Sequence, residues 1–339
     1  MYPNTFQNKI FDQILSKYLR RVDAVDEISK LLNVGRDAVY RRMRGDTILS
    51  PEELLQIATA HHLSLDALIH DQNDTVFCQY NAFQKRIATF REYLENVQRT
   101  IVEVHKLPDS HFYYASQDIP IFHFMYYPTL TAFKLYAWGL TTWGFEYLEN
   151  RKFHSSLIPP SDLSLTEEIV KTYNQLPSSE IWSLSMVDNT LNQIEYISTI
   201  DRFEEPEDAL MMCDQVKNLV QHMREMATEG HKFSPQGGVS GKSAVFNLYQ
   251  NELVATNNML LVKTPTGSMA ITAFCDPNFL STQDARLCEY TEEWLNNIIS
   301  KSSSISKHSD RNRNHFFNRL ERRIKSTRNR IETYLEDLE

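Results

Sequence analysis

The residue types that carry chemistry are scattered in this chain. Residues 237–243 read GGVSGKS, close to a phosphate-cradling loop, but that motif needs a glycine five residues before Gly241, and Gln236 stands there. The AVFNLYQ that follows reads as a strand, where a phosphate loop needs a helix with its N-terminus aimed at the anion. Eleven histidines, among them His61, His62, His222 and His231, form no HExxH or other tight ligand spacing, so no metal site is expected. Glu204-Glu205-Pro206-Glu207-Asp208 is acidic, yet acids at a helix start complement the helix dipole. With no GxSxG elbow and no marked Cys–His or paired-carboxylate pattern, the chain reads as a non-enzyme without a cofactor. Two concentrations remain. One is the basic run RDAVYRRMR, residues 36–44, of net charge +3. The other is residues 111–147, which hold 13 of the 38 aromatics. There Phe122, Phe124, Tyr126, Tyr127, Phe133, Tyr136, Trp138 and Trp143 either line an apolar pocket for a small-molecule effector or form core or an oligomer interface.

The elements around these runs follow from composition and periodicity. The 339 residues allow two or three domains, and 42% hydrophobic against 23% charged residues excludes a mainly disordered chain. Nine glycines are too few for a fold built on several glycine-rich loops. Cys78, Cys213, Cys275 and Cys288 form no CxxC pair, which fits a reducing compartment. The first residues lack a basic head followed by an apolar run, and no apolar stretch reaches a membrane-spanning length, so a cytoplasmic protein without membrane contact is expected. Charge is uneven: residues 1–70 are neutral, 301–339 carry +4, and the middle carries −13 of the total −9.

Four parts are expected. Residues 1–72 read as five short helices, the second behind Asp23, the fourth opened by Ser50-Pro51-Glu52-Glu53 and the fifth starting at Ser64. Residues 73–107 carry Val76, Tyr80, Phe83, Ile87, Phe90, Leu94, Val97, Ile101 and Val104 at alternating steps of four and three, either one amphipathic helix packed on its own domain or a dimer coiled coil. Residues 108–300 read as an α+β domain with a mainly antiparallel sheet. Strands are expected at 181–186 and within 244–274, and helices at about 165–176, 188–200, 206–229 and 283–299. Residues 301–339 read as a serine-rich linker followed by a basic amphipathic helix whose Arg319, Arg322, Arg323, Arg328 and Arg330 surround an apolar seam. The overall class is therefore multidomain α+β.

The segment VDEISKLLNVGRDAVYRRMRGDTILSPEELLQIATAHHLSLDALI resembles the helix-turn-helix of the phage repressor and Cro family over about 45 residues. Ile28, Leu31, Val34, Val39 and Met43 match its buried positions, Ser29 its small residue, and Gly45 the glycine after the recognition helix. Asn33 stands in place of the usual turn glycine and Val25 in place of a frequent Gln. The resemblance implies that the third helix enters the major groove and that symmetric dimers read a palindromic operator in double-stranded DNA. Arg36, Asp37, Tyr40 and Arg41 would then face the bases, Arg36 toward a guanine edge and Asp37 toward a cytosine amine, with Arg42 and Arg44 on phosphates. The remainder is similar in architecture to ligand-sensing domains of the PAS or GAF kind, a likeness that implies no particular ligand. The expectation is a homodimeric, sequence-specific transcription regulator; the alternative is an assembly protein whose helical head binds protein.

Overall fold

The computed structural model describes residues 5–18, 20–61, 63, 65, 68, 75–84, 86–253 and 258–337. Four helices come first: α1 (Thr5–Leu15), α2 (Arg21–Leu32), α3 (Arg36–Met43) and α4 (Pro51–Ala60). They close over a small core of their own, in which Ile10, Phe11, Ile14, Val25, Ile28, Val39, Met43 and Ile57 are buried. Val25 is fully enclosed there. Helix α2 starts at Arg21, ahead of Asp23, which lies in its first turn and takes the Arg20 guanidinium instead of capping the helix. Helix α4 starts as its sequence dictates: Ser50 accepts from the Glu53 N–H while the Glu53 carboxylate accepts from the Ser50 N–H. The fifth helix expected from Ser64 lies largely outside the described residues; Leu63, Leu65 and Leu68 pack on the same core.

A single eight-stranded mixed sheet organises the rest. Its strands are β1 (Gln79–Tyr80), β2 (His111–Ala115), β3 (Ser178–Trp182), β4 (Phe246–Gln250), β5 (Met259–Thr264), β6 (Gly267–Cys275), β7 (Asn278–Thr282) and β8 (Ser303–Ser304), in the spatial order β1-β7-β6-β5-β2-β3-β4-β8. Most pairings are antiparallel, but the adjacent strands β2, β3 and β4, toward the β8 edge, run parallel. Parallel neighbours need helical crossovers. These are α7 (Ile121–Phe124), α8 (Pro128–Thr141) and α9 (Pro160–Tyr173) between β2 and β3, then α10 (Asp188–Thr199) and α11 (Asp208–Glu229) between β3 and β4. Phe112, Trp182, Phe246, Leu248 and Val262 face the crossover helices, while Ala115, Ile181 and Leu261 face α12 (Ala285–Ser300) on the other side. The alternation of strand side chains produces these two layers.

The heptad region does not form one helix. After β1 comes a short α5 (Asn81–Gln84), and the long helix α6 (Phe90–Lys106) starts only at Phe90. Thr89 caps its N-terminus by accepting from the Glu92 N–H, while the Glu92 carboxylate accepts from the Ala88 N–H. Upstream, Gln79 and Tyr80 pair with β7, and Thr282 donates its hydroxyl hydrogen to the Phe77 carbonyl. Phe90, Leu94, Ile101 and Val104 are buried in the core of the sheet body, so these four seam positions are used within the chain.

The serine-rich stretch is also not a linker. Ser303 and Ser304 pair with β4 as an edge strand, Ile305 is fully buried, and Ser306 bonds the Leu248 backbone. Helix α13 (Asp310–Glu336) buries Phe316, Phe317, Leu320, Ile324 and Ile331 in the same core. No helix among the described residues is long and apolar enough to cross a membrane.

Candidate nucleic-acid interface

The junction of α2 and α3 is set by a few local choices. Asn33 ends α2 in the left-handed conformation (φ 52°), and the Val34 N–H reaches back to the Ser29 carbonyl at 3.0 Å. The Ser29 hydroxyl donates to the Val34 carbonyl at 2.5 Å, so this small residue also fastens the turn. Gly45 (φ 79°) turns the chain after α3. Gln7 on α1 then holds the exit in place, donating to the carbonyls of Arg42 and Thr47 (2.7 and 2.8 Å) and accepting from the Leu49 N–H.

On a helix of 3.6 residues per turn, positions 36, 37, 40, 41 and 44 fall within an arc of roughly 140°, with 42 about 100° beyond it. The structure follows this geometry: Arg36, Asp37, Arg41 and Arg44 are exposed, Tyr40 is half-buried, and Val39 and Met43 point into the core. Arg42 is different. Its side chain is only 13% exposed; Nη2 and Nε donate to the Glu53 carboxylate at 2.6 and 3.2 Å, and Nη1 to the Ala38 carbonyl. The bond from Arg42 holds the Glu53 carboxyl below its ordinary range. Arg42 is therefore a clasp between α3 and α4, and the expectation that it meets phosphate is corrected.

The exposed arginines differ in what they touch. Arg36 sets Nε and Nη2 against the two carboxylate oxygens of Asp26 on α2. Arg44 Nε donates to Asp46 at 2.8 Å. Among the described residues the Arg41 side chain has no polar protein partner. No motif in the sequence marks Asp26, and Glu53 stands out only in the opening of α4; the link of each to an α3 arginine comes from the fold.

The aromatic block is core and not an open pocket. Phe124, Phe133 and Tyr136 are fully buried; Phe133 packs on Phe153 and Phe203, and the Tyr136 hydroxyl donates to the Arg151 carbonyl. Trp138 and Trp143 meet Tyr93 of α6, and Phe122 stacks on Tyr173. The Tyr126 hydroxyl donates to Asn174. Two open surface clefts, of 870 and 400 Å³, lie elsewhere, the larger beside Arg151, His154 and Glu204. The GGVSGKS segment leads into β4, with no helix behind it.

Beneath the block lies a polar cluster that no spacing in the sequence announces. The buried Glu180 carboxylate on β3 accepts from His123 Nε2 (3.0 Å), the Tyr173 hydroxyl (2.6 Å), the Ser178 hydroxyl (3.0 Å) and Trp182 Nε1 (3.1 Å). Burial alone would raise its pKa, but His123, Lys232 and the Tyr173 bond hold it down at about 2. Lys232, fully buried, donates to the Leu176 carbonyl at 2.7 Å and sits 3.4 Å from the Tyr173 ring centre. Burial lowers its pKa to about 7, against the pull of Glu180. A second buried pair joins Lys134 of α8 to Asp118, which also accepts from Asn189 and Thr190. The basic terminal helix is likewise committed: Arg323, Arg328 and Arg330 pair with Asp188, Asp214 and Glu195 of α10 and α11.

No protein-family model, no curated protein and no solved structure matches this chain.

Proposed function

We propose that the chain is a sequence-specific DNA-binding regulator, with α2 and α3 as a helix-turn-helix and the α+β body as its sensing or oligomerising part. The observation that carries the reading is the exposed stripe Arg36, Asp37, Tyr40, Arg41 and Arg44 on a short helix whose other face is core. A helix of this size fits a major groove, where arginine reads guanine bidentately and aspartate accepts from the cytosine amine. Arg44 suits a phosphate, which adds affinity without sequence information. The middle of the chain is acidic, so contact is confined to this stripe and its neighbours and weakens steeply with salt. Two copies would read half-sites one helical turn apart in a palindrome.

The test is selection from a randomised duplex pool with the full chain, followed by fluorescence-anisotropy titration at two salt concentrations. Enrichment of one motif, lost in Arg41→Ala while folding is unchanged, is the expected result. If no sequence is enriched and weak binding vanishes at modest salt alike for both proteins, the reading fails and the helical head is a protein-binding module.

A further inference from the structure

The fork between Asp26 and Arg36 has a consequence for how the head would read bases. A guanidinium offers five N–H donors in a plane. Asp26 lies along the edge formed by Nε and one Nη2 hydrogen: Nη2 donates to Oδ2 at 2.6 Å, and Nε is in ion-pair contact with Oδ1 without a hydrogen bond. Among the described residues no group bonds the other edge, with Nη1 and the second Nη2 hydrogen, and the Arg36 side chain is 61% exposed, against 32% for Asp26. An arginine held this way has already lost much of its rotamer freedom, and its free edge has the spacing of two acceptors such as guanine O6 and N7. The carboxylate is also a fixed negative charge beside the stripe that would approach phosphates, so it opposes contact that brings no base pairing to Arg36.

The geometry points to Asp26 as a positioning residue that sets base specificity: it presents the outer edge of Arg36 to a guanine and lowers affinity for unselected DNA. This rests on the DNA-reading proposal above. Asp26 has two effects of opposite sign, and a residue that merely stabilised the fold would show neither.

The experiment is competition binding of the full chain to its selected duplex, to the same duplex with the guanine opposite Arg36 replaced, and to a random duplex. It compares wild type, Asp26→Asn, Asp26→Glu, Arg36→Ala and the double variant, with circular dichroism and thermal unfolding confirming that each is folded. For Asp26→Asn, discrimination at that guanine should fall roughly three- to tenfold, a fraction of a bidentate contact's worth, while random-duplex affinity rises. Asp26→Glu should recover part of the discrimination, and the double variant should discriminate no worse than Arg36→Ala. Enrichment that needs Arg36 but is indifferent to Asp26→Asn overturns the positioning role alone. Absence of any sequence enriched by the wild type overturns it together with DNA reading.

Discussion

The helical head and the sheet body use charge in opposite ways. In the head the pairs of Arg36 with Asp26 and of Arg44 with Asp46 lie at the surface, where forming and breaking an ion pair changes free energy by about 0–1 kcal/mol. In the body Glu180 is sealed from water with four donors of its own chain and with Lys232 nearby. Breaking such a buried set strands uncompensated charges and polar groups. Arg36 and Arg44 are therefore paired where water can replace their carboxylates, as the proposed DNA contact would require, while the body's polar cluster is committed to holding β3 against α7 and α9.

The sharpest way to break this contrast is Glu180→Ala. It leaves His123, Tyr173, Ser178 and Trp182 without this acceptor and the buried Lys232 without its neighbouring negative charge, and should lower the stability of the body by about 3–5 kcal/mol in chemical denaturation. The head has its own core, so fluorescence and helicity reporting on it should move far less. Equal loss in both would erase the distinction.

Acid comes next. Burial pushes His222 down to about 4 despite its bond to the Phe233 carbonyl, and burial with the charges of Lys232 and Lys263 does the same to His111. Between about pH 6.5 and 4 the unfolded chain thus binds more protons than the folded one, and stability falls as pH falls. Glu180, held at about 2, extends the loss from about pH 4.5 downward. Lys232 acts on the alkaline side: with a folded value of about 7 against the ordinary 10.5, stability rises as pH rises between them. Unfolding midpoints measured across pH should show this shape, with His222→Gln flattening the segment from 6.5 to 4; a flat profile would contradict the buried, neutral imidazoles.

In the head, Arg42→Ala should cost about 1–2 kcal/mol, because it strips a largely buried carboxylate of its charged donor. Ser50→Ala should cost about 1 kcal/mol through loss of the α4 cap. Arg41→Ala, by contrast, should leave thermal stability unchanged. A large stability loss in that variant would mean that the stripe is structural.

What the sequence disclosed follows from the range of the signals. The α2–α3 junction, the Asn33 turn, Gly45 and the α4 capping box are spelled out within a few residues of where they act, and the structure has all of them. The exposed side of α3 was legible from helical spacing, except for Arg42, whose fate depends on Glu53 eleven residues away. The heptad spacing misled at its start, since the Thr89 cap on the Glu92 N–H, the bond from the Ala88 N–H to the Glu92 carboxylate and the pairing of β1 with β7 override a continuous helix. The serine run looked like a linker because its order comes from β4, over fifty residues earlier. The parallel strands of the sheet and the Glu180 cluster arise from residues brought together only by the crossovers, beyond the reach of any local pattern.

The most direct test of the central claim is methylation interference on the enriched duplex, since guanine N7 lies in the major groove that α3 would enter. The account predicts interference at guanines in two half-sites about one helical turn apart, with one position in each half-site lost specifically in Arg36→Ala. Interference that is absent, or that is identical for wild type and Arg36→Ala, would contradict base reading by this helix.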